Sequence, residues 1–232
     1  MQPLAHAAPD AFRQVRFLLT DMDETLSYQG RLAAATYSAM VQLQEAGIRV
    51  IPVTAAPAGW CEQMARMWPV DGVIGENGGL FFQRGCHPHE LQQSFWHPPV
   101  EHEQVKQRLE EIGRQILLRA PSARFAVDQH FRLTSLAFER NEDFEEQAQI
   151  IQALRDAGAE VTGNNLWLLC WLWRYDKLAM SRRVLAEIYD LDIDQDGEQV
   201  LSRSKPHRCA TLSAGSLAQA HDHEPGIAKA RH

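Results

Sequence analysis

The sequence has few cysteines, and none of them lies close to another. Its 232 residues include Cys61, Cys86, Cys170 and Cys209, without a Cys-x-x-Cys pair. This spacing gives no sign of a zinc ribbon or of a redox pair. Scattered free thiols are typical of the reducing cytosol, so we expect a cytoplasmic protein.

The sequence also lacks a long apolar run and an excess of positive charge. Its longest apolar run, Leu166 to Trp173, has 8 residues, whereas a membrane helix needs about 20. Residues 1–10 lack the basic and apolar regions of a secretory signal. The net charge of −7 argues against a broad surface for nucleic acid. We therefore expect neither a membrane nor a nucleic acid as a partner, and the composition leaves the oligomeric state open.

The first 80 residues alternate between strand and helix patterns. Continuous apolar runs predict buried strands at residues 15–20 and 48–54. Residues 33–46 predict a helix between them, and Pro57 is suited to open the next helix. A short strand and a glycine-rich turn follow at residues 71–79. This alternation predicts an α/β core built on a doubly wound parallel sheet.

The middle of the chain has a different pattern. Residues 101–119 repeat apolar side chains at helical spacing, and a second helical pattern ends at Gly158. Short strand patterns pair around Gln129, and residues 159–173 predict a hairpin. This mixture predicts an α+β domain inserted into the core.

These patterns divide the chain into a discontinuous core, an inserted domain and a tail. The tail has few large apolar residues, a composition that favours disorder over a packed core. We assign the core to residues 12–83 and 176–200, the inserted domain to residues 84–175, and the atypical tail to residues 201–232.

Two carboxylates, Asp21 and Asp23, follow directly on the first predicted strand. Ligands of an open parallel sheet bind beyond the carboxyl ends of its strands. Two carboxylates this near to each other repel unless they share a cation. Mg²⁺ is a cation that prefers such oxygen ligands. One carboxylate can attack a phosphoryl group while its neighbour transfers protons. A surface turn or a helix cap is the alternative explanation for an isolated Asp-x-Asp.

Two further residues fit phosphate chemistry at element boundaries. Thr54 ends the second predicted strand, where a hydroxyl and backbone N–H groups can hold phosphate oxygens. Lys177 opens the last predicted helix, at residues 176–189, and its charge can stabilise a transferred phosphoryl group. Either residue alone has an ordinary structural explanation, so the argument depends on their order along the chain.

Four segments together resemble the motifs of the haloacid dehalogenase superfamily, most of whose members are phosphatases. "FLLTDMDETL" matches its first motif, "VIPVT" its second and "YDKLAMSRRVL" its third. "GENGG" resembles a turn of the branch that carries a large α/β cap domain, which includes phosphatases of sucrose phosphate, mannosylphosphoglycerate and trehalose phosphate. The resemblance extends over residues 12–190 and identifies residues 84–175 as the cap.

The resemblance implies a role for each candidate residue. It makes Asp21 the nucleophile, Asp23 the acid and base, and Lys177 the residue that neutralises charge. It makes Thr54, Ala55 and Lys177 the phosphate ligands. Mg²⁺ would bind the Asp21 side chain and the main-chain carbonyl of Asp23, and the substrate would be a small phosphate monoester, such as a sugar phosphate.

The sequence departs from the family pattern after the second strand. The capped branch usually has Thr-Gly-Arg there, and this chain has Thr54, Ala55, Ala56 and Pro57. Ala56 lacks the guanidinium that could contact phosphate or position the substrate. Losing such a charge-assisted contact can cost a few kcal/mol of transition-state binding, and the rate falls accordingly.

A second departure is the absence of the fourth motif, a strand that ends in acids of the magnesium site. The residues after Val200 contain no strand-like apolar run and no Asp before Asp222, so we expect neither the strand nor its acids. One set of codons for residues 205–212, read one base later, encodes Ser-Pro-Thr-Asp-Ala-Pro-Arg. That peptide resembles the missing motif, so we hypothesise a frameshift near residues 199–204, which the nucleotide sequence of the gene can test.

Three classes of function therefore stay open at the level of sequence. The first is a magnesium-dependent phosphatase that works through an aspartyl-phosphate. The second is an impaired relative, either a binder of phosphorylated ligands or an unstable product of a damaged gene. The third, a purely structural or interaction protein, has no positive feature in its favour.

One alternating strand of the predicted cap also allows two interpretations. Its tryptophan-rich face packs either on the cap helices or over the substrate as a wall of the cleft. The face consists of Trp167, Leu169, Trp171 and Trp173.

Overall fold

The computed structural model describes residues 9–87, 89–141, 143–164 and 166–203. Of the tail predicted at residues 201–232, residues 204–232 lie outside the described residues, and so does the segment 205–212 on which the proposed frameshift rests. The described residues form five α-helices: α1 (Ala34–Glu45), α2 (Ala58–Met67), α3 (Pro99–Arg119), α4 (Phe144–Asp156) and α5 (Lys177–Tyr189).

Eleven strands accompany these helices in the described part of the chain. They are β1 (Phe17–Thr20), β2 (Ser27–Tyr28), β3 (Arg31–Leu32), β4 (Arg49–Pro52), β5 (Val73–Gly75), β6 (Leu80–Arg84), β7 (Leu91–Phe95), β8 (Ser135–Glu139), β9 (Ala159–Gly163), β10 (Trp167–Leu172) and β11 (Val200–Arg203).

The core contains a parallel sheet in the order β11-β1-β4. A parallel bridge between Val53 and Ile74 links β4 to β5, and β6 and β7 continue antiparallel from there. Helix α5 packs on one face of the parallel sheet, and α1 and α2 pack on the other. Strands covered on both faces must be apolar throughout, which explains the continuous apolar runs. The predicted doubly wound α/β core is confirmed.

Strand β11 corrects the expectation that no strand follows the last helix. It pairs in parallel with β1, and Arg203 lies opposite Thr20. Only Val200 and Leu201 of its four residues are apolar. The strand forms because the edge of β1 offers unpaired backbone groups, a tertiary feature that a local pattern does not contain.

The inserted domain is an antiparallel sheet, in the order β8-β10-β9, with two helices on one face. Residues Val105, Leu109, Ile112 and Ile116 of α3 are buried there, as their helical spacing predicts. Helix α4 adds Ile150 and Leu154 to the same core. The predicted α+β composition of the inserted domain, hereafter the cap, is confirmed.

The predicted strand pair around Gln129 is wrong in its first half. Residues Gln129–Phe131 form a 3₁₀ helix, and only an isolated bridge joins Phe125 to Phe138. The Gln129 side chain replaces the missing strand, because its Oε1 accepts a hydrogen bond from the Ala137 N–H at 2.6 Å. One side chain thus satisfies a backbone group that a ladder would otherwise pair.

The second face of the cap sheet turns towards the core rather than towards the cap helices. Leu169 and Trp171 pack with Tyr175 and against Ala55. The first interpretation, packing on the cap helices, is wrong, because helices α3 and α4 cover the opposite face of the sheet. The second, a wall over the substrate, stays a prediction. Within the described residues, no helix combines the length and apolarity that crossing a membrane requires.

Candidate active site

The candidate site lies at the carboxyl ends of β1 and β4. These neighbouring strands are parallel and in register, with Thr20 opposite Pro52. Asp21 follows β1, and Thr54 follows the bridge residue Val53. The sheet therefore places both predicted residues at the same edge, where open α/β sheets bind ligands.

The side chains of Asp21 and Lys177 form an ion pair in this site. The Lys177 ammonium lies 2.9 Å from Oδ1 of Asp21. Only 11% of the Asp21 side chain is exposed, against 38% for Lys177. Lys177 is the first residue of α5, and the Asp176 side chain caps that helix by accepting from the Ala179 N–H. Helix and strand ends thus bring a cation to the predicted nucleophile.

Asp23 lies two residues further, in a turn held by the Met22 carbonyl. That carbonyl accepts from the N–H groups of Leu26 and Ser27 at 3.0 and 2.9 Å. Partial removal from water raises the pKa of Asp23, and the charge of Asp21 raises it further, whereas Lys177 opposes the shift. A carboxyl that keeps its proton more readily suits the general acid of the predicted pair.

The segment of residues 54–57, hereafter the Thr54 loop, leads into α2. Thr54 is buried, with 0% exposure, and its Oγ1 accepts from the Ala56 N–H at 3.0 Å. The Thr54 hydroxyl thus uses one lone pair internally and keeps its proton to donate. Among the described residues, the Ala55 N–H has no hydrogen-bond partner. Both groups are of the kind that hold phosphate oxygens at a helix start.

Glu76 is a site residue whose role the sequence analysis missed. Its Oε1 accepts from Ala58 N at 3.0 Å and from Leu133 N at 2.8 Å. Its Oε2 accepts from the Thr134 N–H and hydroxyl and from the Ser135 hydroxyl. The carboxylate therefore joins the start of α2 to the cap. The only sequence signal that the Glu76 side chain is buried was its position, between an apolar strand and two glycines.

Arg132 is a second residue that the sequence did not single out. It comes from the cap, and its Nη1 donates to the Ala55 carbonyl at 3.2 Å. Its side chain is 2% exposed and pairs with Asp128 at 3.3 Å. The sequence carries no signal of this position, because Arg132 lies in a segment where only a strand was predicted.

The donor set for a metal ion can be stated for the described residues only. Within them, no group of three or more His, Cys, Asp or Glu side chains is arranged to hold a metal. Asp21 offers a carboxylate, and Asp23 lies two positions further along the same turn. Mg²⁺ is often held by one or two carboxylates together with water and substrate phosphate, so this small donor set fits it.

Comparison with known proteins gives matches in structure and none in sequence. No protein-family model and no curated protein matches the chain. Protein 0175 of Thermoplasma acidophilum has a TM-score of 0.63 and 17% identity, over 82% of this chain and 76% of that one. The trehalose-6-phosphate phosphatase C-terminal domain of C. albicans has a TM-score of 0.58 and 12% identity, over 84% and 71%.

A third similar structure is described as a member of the HAD superfamily. A sugar phosphatase of HAD subclass IIB has a TM-score of 0.55 and 13% identity, over 82% of this chain and 80% of that one. The chain has the haloacid dehalogenase (HAD) fold. At these identities, the HAD fold is what the comparison shows, and the chemistry has to be argued from the residues of this chain.

Proposed function

We propose that the chain is a phosphatase that hydrolyses a small phosphate monoester, with a sugar phosphate as the first candidate. The observation that carries this proposal is the contact of Asp21 with Lys177 beside the Thr54 loop, at the ligand-binding edge of a HAD fold. Two of the structural neighbours are described as phosphatases of trehalose 6-phosphate and of sugars. Their substrates motivate the class that we propose.

Each residue has a place in the proposed reaction. Asp21 attacks the phosphorus, an aspartyl-phosphate forms, and the P–O bond to the leaving group breaks. Asp23 donates a proton to the leaving oxygen. A water then attacks the aspartyl-phosphate, Asp23 accepts its proton, and the bond between phosphorus and the Asp21 oxygen breaks to release orthophosphate. Lys177 stabilises the negative charge of the phosphoryl group, while the Thr54 hydroxyl and the Ala55 N–H bind its oxygens.

Mg²⁺ is the cofactor that we propose for this site. The Asp21 carboxylate and the Asp23 main-chain carbonyl would hold it. The ion supplies positive charge that offsets the repulsion between an anionic nucleophile and an anionic phosphate. We further propose that the chain divides into a catalytic core, predicted as residues 12–83 and 176–200, and a cap, predicted as residues 84–175, in a cytoplasmic protein. We include β7 and β11 in this core as well, because they pair with β6 and β1.

The decisive experiment is turnover of p-nitrophenyl phosphate with Mg²⁺, compared with the Asp21→Asn variant and with the chelator EDTA. Activity of the wild type that is lost in the Asp21→Asn variant and is also lost on addition of EDTA supports the proposal. Asn keeps the shape of Asp but cannot form the acyl-phosphate, so activity in a folded Asp21→Asn variant contradicts the mechanism. Near-ultraviolet circular dichroism of the six tryptophans checks folding.

A second candidate function is non-catalytic binding of phosphorylated ligands. Strand β11 lies beside β1, and the chain continues from Arg203 with Ser204 and Lys205, without an acid before Asp222. A metal site that needs acids from this segment would then be incomplete. A folded chain that binds orthophosphate but does not turn over the aryl phosphate favours this candidate.

A further inference from the structure

Each of the first three carbonyls of the Thr54 loop accepts a hydrogen bond from outside the loop. The Thr54 carbonyl accepts from the Asn77 N–H at 3.1 Å, and the Ala56 carbonyl from the Glu76 N–H at 3.1 Å. Both donors belong to the core. The Ala55 carbonyl instead accepts from Nη1 of Arg132, at 3.2 Å, and this donor belongs to the cap.

The Arg132 bond reaches the Thr54 hydroxyl through a single peptide group. The peptide that carries the Ala55 carbonyl also carries the Ala56 N–H, which donates to Thr54 Oγ1 at 3.0 Å. A cation on the carbonyl polarises the peptide and strengthens the hydrogen bond that its N–H donates. The Thr54 oxygen then accepts more strongly, so its proton becomes a better donor towards an anion. Two hydrogen bonds and one peptide group thus connect Arg132 to the predicted phosphate ligand, without direct contact between the two side chains.

The guanidinium of Arg132 is buried and only partly paired. Nη2 lies 3.3 Å from Asp128, and Nη1 also lies 3.3 Å from the Ser135 hydroxyl. Nε has no hydrogen-bond partner among the described residues, and neither has Oδ1 of Asp128. A buried guanidinium with an unpaired N–H is costly for stability, which indicates a role other than stabilising the fold. Ala56, where the sequence lacks the expected arginine, lies next to the carbonyl that this guanidinium binds.

We propose that Arg132 is a positioning residue for phosphate, which orients and polarises the Ala55–Ala56 peptide and, through it, the Thr54 hydroxyl. The cap thereby supplies to the Thr54 loop the cation that position 56 lacks. This inference rests on the proposed function, because it takes the Thr54 loop as the phosphate site. If Arg132 has this role, the affinity for phosphate depends on the position of the cap relative to the core.

The test measures the affinity for inorganic phosphate by isothermal titration calorimetry, which needs no turnover. Arg132→Gln removes the cation, and we expect the dissociation constant of phosphate to rise at least about tenfold. Arg132→Lys keeps a cation that can reach the same carbonyl, and we expect affinity within about threefold of the wild type. Arg140→Gln is the matched control, because Nη1 of Arg140 also donates to a backbone carbonyl at 3.2 Å, that of Asn164 in the cap.

A double variant separates positioning from folding. Arg132→Gln leaves Asp128 buried without its cation, whereas Arg132→Gln with Asp128→Asn removes both charges and relieves that cost. We expect the double variant to regain stability against urea but not affinity for phosphate. Recovery of wild-type affinity in the double variant, or unchanged affinity in a folded Arg132→Gln variant, overturns the proposal.

The outcomes for the wild type keep this proposal distinct from the proposed function. Phosphate binding that depends on Arg132, together with no turnover of p-nitrophenyl phosphate, supports the positioning role and contradicts the phosphatase. Turnover of p-nitrophenyl phosphate, together with a phosphate affinity that does not change in the Arg132 variants, supports the phosphatase and contradicts the positioning role. No phosphate binding by the folded wild type overturns the positioning role, because the Thr54 loop is then not a phosphate site, and the turnover assay alone decides the phosphatase.

Discussion

The ammonium of Lys177 lies 2.9 Å from Oδ1 of Asp21, and 156 positions separate the two residues in the chain. Asp21 follows the end of β1, and Lys177 is the first residue of α5. Each side chain therefore lies at, or directly beyond, the end of an element of the core. Element ends that are held by packing are suited to keep two charged groups at a fixed distance.

Lys177→Met is expected to lower kcat for p-nitrophenyl phosphate by about 10²- to 10³-fold, because a positioned cation at the phosphoryl group is lost. Stopped assays of the purified variant measure this loss. Lys106→Met is the control, since Lys106 is exposed on α3 and should keep wild-type turnover. A Lys177→Met variant with wild-type kcat contradicts a role for this ammonium in the reaction.

Asp23→Asn is expected to stabilise the protein at neutral pH. The pKa of Asp23 is raised in the folded protein above its usual 3.8, so the folded state holds this proton more tightly than the unfolded chain. Stability from this group is therefore present below pH 3.8 and is lost as the pH rises through the folded pKa. Asn carries no charge to desolvate and avoids that loss.

Thermal melts of the wild type and Asp23→Asn between pH 3 and pH 7 measure this difference. We expect the variant to melt higher at pH 7 and the two curves to converge towards pH 3. A difference of the opposite sign, or one that does not change with pH, contradicts the raised pKa of Asp23.

Glu76→Gln is expected to lower the free energy of unfolding by about 2–4 kcal/mol, because an amide nitrogen replaces one of two oxygens that face only donors. The donors are the N–H groups of Ala58, Leu133 and Thr134 and the hydroxyls of Thr134 and Ser135. Urea titration measures the loss. Glu139→Gln, an exposed change on β8, should stay within about 0.5 kcal/mol of the wild type.

Gly78→Ala is expected to destabilise the fold and to displace Lys177. Gly78 has a φ of +105°, and an added Cβ would lie 2.3 Å from the carbonyl oxygen of Asp176, the N-cap of α5. We expect a loss of about 3 kcal/mol from backbone strain and this overlap together, with reduced turnover.

Gly47→Ala provides the matched comparison for Gly78→Ala. Gly47 has a φ of +78°, but nothing lies within 4 Å of an added Cβ. Only the backbone strain of about 1–2 kcal/mol should remain, without a change in kcat. Equal losses of stability in the two variants contradict the role assigned to the Asp176 contact.

Local patterns in the sequence were sufficient to predict most helices and strands. The apolar run that forms β1 and the repeat that forms α3 lie where the sequence predicts them. The positions of Asp21, Thr54 and Lys177 at element ends were predictable for the same reason. Parallel strands end at one edge of a sheet, so residues that follow the strands meet there.

Strand β11 and the role of Gln129 depended on the tertiary structure. Val200–Arg203 becomes a strand because the edge of β1 is open to pairing, and Gln129 replaces a strand because its amide reaches the Ala137 N–H. Both result from contacts between elements, which leave no periodicity in the local sequence.

What the sequence by itself determined is the order of elements, the α/β class and the acids at the end of β1. What only the tertiary structure decided is which side chains of the cap meet the core. Glu76 and Arg132 are ordinary charged residues in the sequence, and burial makes them the junction between cap and Thr54 loop. Burial of a charge depends on residues brought together from distant parts of the chain, so no local pattern encodes it.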